Sequence, residues 1–166
     1  MNPKVILVVD DDIDVLTIVD TILSNEGYKV FLANNKEDAL KIINEQKPDL
    51  IFLDVMMDSI YEGFELAEYL KKTPGLKEIP VIIQTSLDVF DSPIPEDIEL
   101  ARQYRANFQD NNLQVFFVNN TATGQAGIDY RTEDGQIKWI PVEGFIRKPL
   151  LASTLLSVIE KHLKNK

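Results

Sequence analysis

The stretch DLIFLDVMMDSIYEGFE, residues 49–65, decides how this chain is read. Leu50–Leu53 is wholly apolar, and the next residue is Asp54. A short apolar run framed by polar residues reads as a β-strand covered on both faces. A buried strand that ends on a carboxylate puts the acid at the rim of a sheet. What that acid does depends on which other groups reach the rim.

Three more runs have strand character. Val5–Val9 is continuous, apolar and mostly β-branched, Lys29–Ala33 is a short strand, and Val81–Gln84 follows Pro80, which is tolerated at a strand's first residue. Between them, apolar residues recur at helical spacing. Ile13, Leu16, Val19 and Leu23, with Val15, Ile18 and Ile22 beside them, form a wide apolar face that stops at Asn25-Glu26-Gly27. Glu37–Gln46 turns Ala39, Leu40 and Ile43 inward and closes before Pro48, and Phe64–Lys72 stops before Pro74-Gly75. Strands alternating with helices through short connections predict an α/β fold, a parallel sheet with helices on both faces. Ligands of such sheets bind outside the carboxyl ends of the strands, where strand order reverses. The chemistry is therefore expected just after Val9, Leu53 and Gln84.

After Ser86 the rhythm breaks. Asp97–Asn107 reads as a helix, Gln114–Val118 as a β-like run and Ala122–Gly127 as a loop. Ile128–Val142 reads as a hairpin around Glu133-Asp134-Gly135, since Asp-Gly is a turn signal. Gly144–Arg147 is a short strand ending at Lys148-Pro149, and a last helix near Ser153–Leu163 buries Leu155, Val158, Ile159 and Leu163.

Composition narrows the function. With 166 residues and 45% of them hydrophobic, the chain suits one domain, residues 1–166. The net charge of −10 argues against direct nucleic-acid binding and favours a bound cation or a partner with a basic patch. The absence of cysteine excludes disulfides, thiolate catalysis and Cys-based zinc sites. The start MNPKVILVVDDD has too short an apolar core for a signal peptide, and no run approaches a membrane span, so a soluble, cytoplasmic protein is expected.

Polar groups gather at the predicted rim: Asp10 and Asp11 after the first strand, Asp54 after the third, Thr85 and Ser86 after the fourth, and Lys148 after the last. Two carboxylates 4 Å apart repel by about 4 kcal/mol at an effective dielectric near 20. Three of them require either a proton or a cation between them. Oxygen-only ligands without His or Cys suit Mg²⁺. A carboxylate beside Mg²⁺, with a lysine and a hydroxyl at hand, is a phosphoryl-acceptor arrangement. Taken singly, each residue has an ordinary reading: Asp12 as a helix cap, Asp54 as a turn residue, Lys148-Pro149 as a turn before a helix. Their order at successive strand ends is what makes them a site.

With these residues in place, the chain resembles the receiver domain of bacterial two-component response regulators. The resemblance rests on ILVVDDD at the start, DLIFLDVMM around Asp54, PVIIQTS ending at Thr85 and Ser86, and GFIRKPL at Lys148. It covers about Lys4–Leu87 and Glu143–Leu163. It implies a doubly wound, five-stranded parallel sheet in flavodoxin-like order 2-1-3-4-5. It also implies that Asp54 is the phosphoacceptor, that Asp11 and Asp54 ligate Mg²⁺ directly with Asp10 acting through water, and that the Met56 carbonyl is a further ligand. Thr85 and Lys148 would bind the phosphoryl group, and Phe145 would be a switch aromatic without a hydroxyl. Met56 and Leu87 stand where side-chain polarity tunes dephosphorylation, and two apolar groups there predict a long-lived phosphoryl state. The expected donor is a sensor histidine kinase or a histidine phosphotransfer protein. The protein would be no enzyme beyond its own phosphoryl transfer and dephosphorylation, and would pass its signal to an output protein.

The chain departs from the family pattern in two places. The usual Met-Pro-Gly-Met-Asp-Gly is replaced by Met57-Asp58-Ser59-Ile60-Tyr61-Glu62-Gly63, a longer turn with added acid. An extra segment, mostly within 110–142, lies between the Thr85 and Lys148 motifs. It falls beside the face that many receivers use for dimerisation or output, so a partner surface or a homodimer contact is expected there. Phe116, Phe117 and Trp139 are either its exposed anchors or its packing residues. Gly124-Gln125-Ala126-Gly127 is no phosphate loop, since no Lys-Ser/Thr follows. His162 reads as a helix-terminal surface residue. Because the last helix ends near the chain terminus, a stand-alone receiver is expected. The competing readings are a pseudo-receiver that only binds partners, a small Mg²⁺-dependent phosphatase, and a flavin-binding domain. The phosphatase usually wants an acid where Met56 stands, and the flavin domain would meet three repelling acids.

Overall fold

The computed structural model describes residues 2–57, 60–107, 115–132 and 134–164. In chain order the elements are β1 (Val5–Val9), α1 (Ile13–Asn25), β2 (Lys29–Ala33), α2 (Lys36–Gln46), β3 (Leu50–Asp54), α3 (Ile60–Lys72), β4 (Val81–Thr85), β5 (Val89–Ser92), α4 (Pro95–Asn107), β6 (Val115–Asn120), β7 (Ala126–Arg131), β8 (Ile137–Val142), β9 (Gly144–Arg147) and α5 (Ala152–Leu163). They divide into two units, residues 1–86 with 146–166, and residues 87–145.

The first unit is built on a five-stranded parallel sheet in the order β2-β1-β3-β4-β9. With β9 as the fifth strand of that sheet, this is the expected doubly wound order. The apolar runs become its centre: β3 and β4 are buried throughout, and β1 is buried from Ile6 onward. Alternation along each strand sends side chains to opposite faces. Ile6, Val8, Leu50, Phe52, Ile82 and Ile146 form one cluster with Leu16, Val19 and Leu23 of α1 and Leu155, Ile159 and Leu163 of α5. Leu7, Val9, Ile51, Leu53, Val81 and Ile83 are buried on the opposite face, which α2 and α3 cover. Each fully buried Leu, Ile or Phe contributes roughly 1.5–3 kcal/mol by leaving water.

Polar residues fix where these elements begin. The Asp12 carboxylate accepts the Asp14 and Val15 N–H groups at 2.9 and 3.4 Å and so caps α1. Asn35 caps α2 by accepting the Asp38 N–H at 2.8 Å. Asp49 accepts the Val5 N–H at 2.8 Å, tying the start of β1 to the start of β3. Helix α3 starts at Ile60, four residues before the start expected from its apolar spacing. Gly63 lets α3 pass close to the chain leaving β3, because a Cβ there would lie 2.5 Å from the Val55 Cα.

The second unit is a four-stranded sheet in the order β5-β6-β7-β8. β5 pairs with β6 in parallel, and the other two pairings are antiparallel. The expected hairpin is β7–β8, with Gly135 in the turn at φ 85° and Glu133 outside the described residues. Three details differ from the sequence reading. β5 was not expected; it has four residues, too few for a periodicity signal. Ala126 and Gly127, expected in a loop, belong to β7, where pairing with β6 and β8 outweighs their weak strand preference. α4 begins at Pro95 rather than Asp97, since proline suits the first helical turn. The unit also starts upstream of the 110–142 segment, which departs from the receiver pattern.

The aromatic residues of this unit pack within it. Phe117 is buried with its ring 5.3 Å from that of Phe145, and Phe116 lies 5.7 Å from Phe90. Trp139 is 40% exposed, yet its ring fills the space over Gly127, where a Cβ would lie 2.1 Å from Trp139 Cζ2. The guanidinium of Arg102 lies 4.3 Å from the Trp139 ring centroid, and its Nε donates to the buried Asp129 at 3.2 Å.

Two outcomes follow from this packing. Gly63→Ala is expected to lose about 1–3 kcal/mol of stability through the clash with Val55, measured by urea unfolding. Trp139 is the chain's single tryptophan, so its fluorescence reports on the second unit. Arg102→Ala is expected to shift that emission and to cost about 1–3 kcal/mol in a fluorescence-monitored melt, because it removes the cation–π contact and strips Asp129 of a charged partner.

Candidate functional site

The alternation that builds the core also builds the site. Val8 lies opposite Phe52, Phe52 opposite Ile82, and Asp54 opposite Gln84. Asp10 is two residues beyond Val8, and Lys148 two beyond Ile146. Asp10, Asp54, Gln84 and Lys148 therefore continue, at the carboxyl ends of β1, β3, β4 and β9, the same rows that bury Val8, Phe52, Ile82 and Ile146 against α1 and α5. Each strand turns polar one step after its last core residue.

Lys148 joins the two buried acids. Its Nζ donates to Asp10 Oδ2 at 2.7 Å and to Asp54 Oδ2 at 2.8 Å. Asp54 Oδ1 accepts the Met56 N–H at 2.7 Å, and Asp10 Oδ1 accepts the Asp12 N–H at 2.9 Å. Asp10 is fully buried and Asp54 is 4% exposed, while Asp11 is open to solvent. Carboxylate oxygens of Asp10, Asp11 and Asp54 lie within 4.8 Å of one another. Thr85 is buried at the end of β4, and its carbonyl accepts the Lys148 backbone N–H at 2.8 Å. The Lys148–Pro149 peptide bond is cis.

One ammonium faces three carboxylates. Burial pushes the Asp54 carboxyl above the usual range; hydrogen bonds from Lys148 and the Met56 N–H pull it back, and the Asp10 charge adds to the rise. For Lys148, burial lowers the pKa, but the hydrogen bonds to Asp10 and Asp54 outweigh it, so the net shift is upward and the side chain stays charged. The pocket keeps an excess of anionic oxygen at a solvent-open edge. That donor set fits a hard divalent cation that retains water, Mg²⁺ above all. Asp10, Asp11 and Asp54 are the residues that would hold it.

The family described as the response regulator receiver domain matches residues 6–92. The chain belongs to that family. A probable transcriptional regulator of Cyanophora paradoxa is 42% identical over 92 residues, 55% of this chain and 37% of the relative. The alkaline phosphatase synthesis regulatory protein PhoP of Bacillus subtilis is 39% identical over 88 residues, 53% of this chain and 35% of the relative. The match thus spans well under half of these relatives' length. Among solved structures, the receiver domain of a signal transduction histidine kinase from Syntrophus aciditrophicus superposes with a TM-score of 0.61 at 25% identity, covering 98% of this chain and 91% of that one. The receiver domain of NtrX from Brucella abortus gives 0.58 at 27% identity, covering 97% and 99%.

Within this receiver, the sequence-marked residues fall as follows. Asp10, Asp11, Asp54 and Lys148 meet in one pocket, with Thr85 and Met56 on the adjoining backbone. Met56 presents a side chain that is 40% exposed. Ser86 is exposed, Glu62 is half-buried in the first turn of α3, and Asp58 lies outside the described residues. Leu87 and Phe145 belong to the second unit, Leu87 41% exposed and Phe145 against Phe117. His162 is half-buried in the last turn of α5. One site residue escaped the sequence reading. Gln84 is fully buried and donates from Nε2 to Asp10 Oδ2 at 2.8 Å. Its signal was an amide directly after the apolar run Val81–Ile83 of a buried strand.

The raised pKa of Asp54 gives the protein a pH signature. Between the ordinary carboxylate range and the higher folded value, the native state holds more protons than the unfolded state, so Asp54's contribution to stability falls as pH rises through that window. Above it, the full cost of the ionised, buried carboxylate is present. Without added divalent ions, Asp54→Asn is expected to be more stable than the native sequence at pH 7, with the gain fading as pH falls into the carboxylate range. Urea unfolding across pH measures this; a gain that persists unchanged at low pH contradicts it.

Proposed function

We propose that the protein is a phosphorylation-operated receiver in which Asp54 accepts a phosphoryl group from a phosphohistidine of a sensor kinase or phosphotransfer protein. The observation that carries this reading is the single Lys148 ammonium within 2.8 Å of both buried carboxylates, beside a third acid. A carboxylate oxygen of Asp54 attacks phosphorus; the P–O bond forms as the P–N bond breaks, and the electron pair returns to the imidazole. The Met56 N–H holds Oδ1 and fixes the plane of the nucleophile. Lys148 follows the incoming phosphoryl oxygens, and the Thr85 hydroxyl binds another of them. Asp10, Asp11, Asp54 and the Met56 carbonyl would hold Mg²⁺, which would supply positive charge against the group in transfer.

The acyl phosphate alters the partner-binding surface, and an output protein reads the change. The chain turns over no external substrate; it catalyses its own phosphoryl transfer and dephosphorylation. Several relatives are named transcriptional regulators. In this chain the net charge of −10 makes direct contact with nucleic acid unfavourable, so the signal passes to a protein, with a homodimer as one arrangement.

Incubation with Mg²⁺ and acetyl phosphate is expected to raise the intact mass by one phosphoryl group, with no gain in Asp54→Ala. The apolar Met56 side chain beside the site orders attacking water poorly, so the phosphoryl group is expected to persist well beyond seconds. No mass gain from either acetyl phosphate or a phosphorylated kinase would shift the reading to a pseudo-receiver that only binds partners.

A further inference from the structure

We infer that Gln84 is a positioning residue of this pocket, its side-chain amide clamping Asp10 in the orientation that the bound cation needs. The inference rests on the reading of the pocket as a Mg²⁺-dependent phosphoacceptor site. It begins with the register of β3 and β4, which sets Gln84 directly opposite Asp54. Gln84 and Asp10 are both fully buried, and Nε2 lies 2.8 Å from Asp10 Oδ2. Charge decides which end of the amide faces Asp10: the N–H donates to the carboxylate, whereas the amide oxygen would repel it.

Asp10 Oδ2 also accepts from Lys148 at 2.7 Å. Lys148 is shared with Asp54, so it cannot hold Asp10 alone once a phosphoryl group on Asp54 draws the ammonium away. Gln84 is rooted in a fully buried strand and does not move with that lysine. With the Asp12 N–H on Oδ1, it keeps the Asp10 carboxylate aligned through the reaction cycle. Orienting partners of this kind control metal affinity although they touch no metal.

A second observation separates this from simple core filling. The other end of the amide, Oε1, is buried and has no hydrogen-bond partner among the described residues. A buried acceptor without a protein partner is costly, and Met or Leu would fill the same space without that cost. The amide is therefore better explained by its bond to Asp10 than by packing.

The test is calorimetric titration of Mg²⁺ into the native protein, Gln84→Met, Asp10→Asn and the double variant, with thermal melts alongside. Gln84→Met is expected to bind Mg²⁺ about tenfold more weakly than the native protein. In the Asp10→Asn background the same substitution is expected to have little further effect, because its action runs through Asp10. Equal affinity in Gln84→Met and the native protein overturns the inference, as does a loss that persists undiminished with Asn at position 10. Absence of Mg²⁺ binding by the native protein overturns the phosphoacceptor reading and this inference with it. Should Gln84→Met not fold, the Gln84 side-chain NH₂ signals of the native protein decide. They are expected to exchange slowly with solvent and to shift on saturation with Mg²⁺; unchanged signals overturn the inference.

Discussion

The pocket depends on one shared ammonium. Two carboxylates with almost no exposure would repel each other and lose hydration at the same time, and neither deficit is small in a protein interior. Lys148 bridges them and is itself kept charged by them. The balance is incomplete, since Asp54 is still harder to ionise than an ordinary carboxyl and Asp11 adds further negative charge. That residual imbalance is the chemical property the site offers, an excess of anionic oxygen suited to a hard divalent cation.

The lysine works only because the sheet delivers it. Lys148 follows β9, which ends beside β4, and the Thr85 carbonyl takes its backbone N–H. Asp10 follows β1 and Asp54 ends β3, the central strand beside it. Parallel strands carry all their carboxyl ends to one rim, so residues far apart in the chain converge without any long-range sequence signal. Asp10 and Lys148 are 138 positions apart and 2.7 Å apart in space.

Much of this was legible beforehand for physical reasons. The central strands are short apolar runs that must be covered on both sides, and Asp10 and Asp54 sit one step past such runs, so both could be placed from periodicity; Lys148 follows a last short strand that carries it to the same rim. Gln84 could not, because its role depends on which residue lies across from it, and register is invisible in composition. The second sheet was harder still. Its β7–β8 hairpin announced itself through Asp134-Gly135, but β5 is too short to show a period and pairs with a strand more than twenty positions away. For Trp139 the sequence left two readings open, an exposed anchor or a packing residue, and could not choose between them. Its packing over Gly127 and under Arg102 depends on a diagonal neighbour across the β7–β8 pair, again a matter of register.

Because side chains in a strand alternate with a period of two, the pocket imposes a reading frame on the chain. Losing or gaining one residue inside β1, β3 or β4 would turn the terminal acid or amide to the opposite face and bring an apolar neighbour into the pocket. Between Ser86 and Ile146 no such frame applies, since β9 restarts the alternation on its own and needs only to bring Lys148 back to the rim. A change of length in that interval therefore leaves the pocket's frame intact, whereas one in the three strands destroys it. An entire four-stranded sheet stands in this interval.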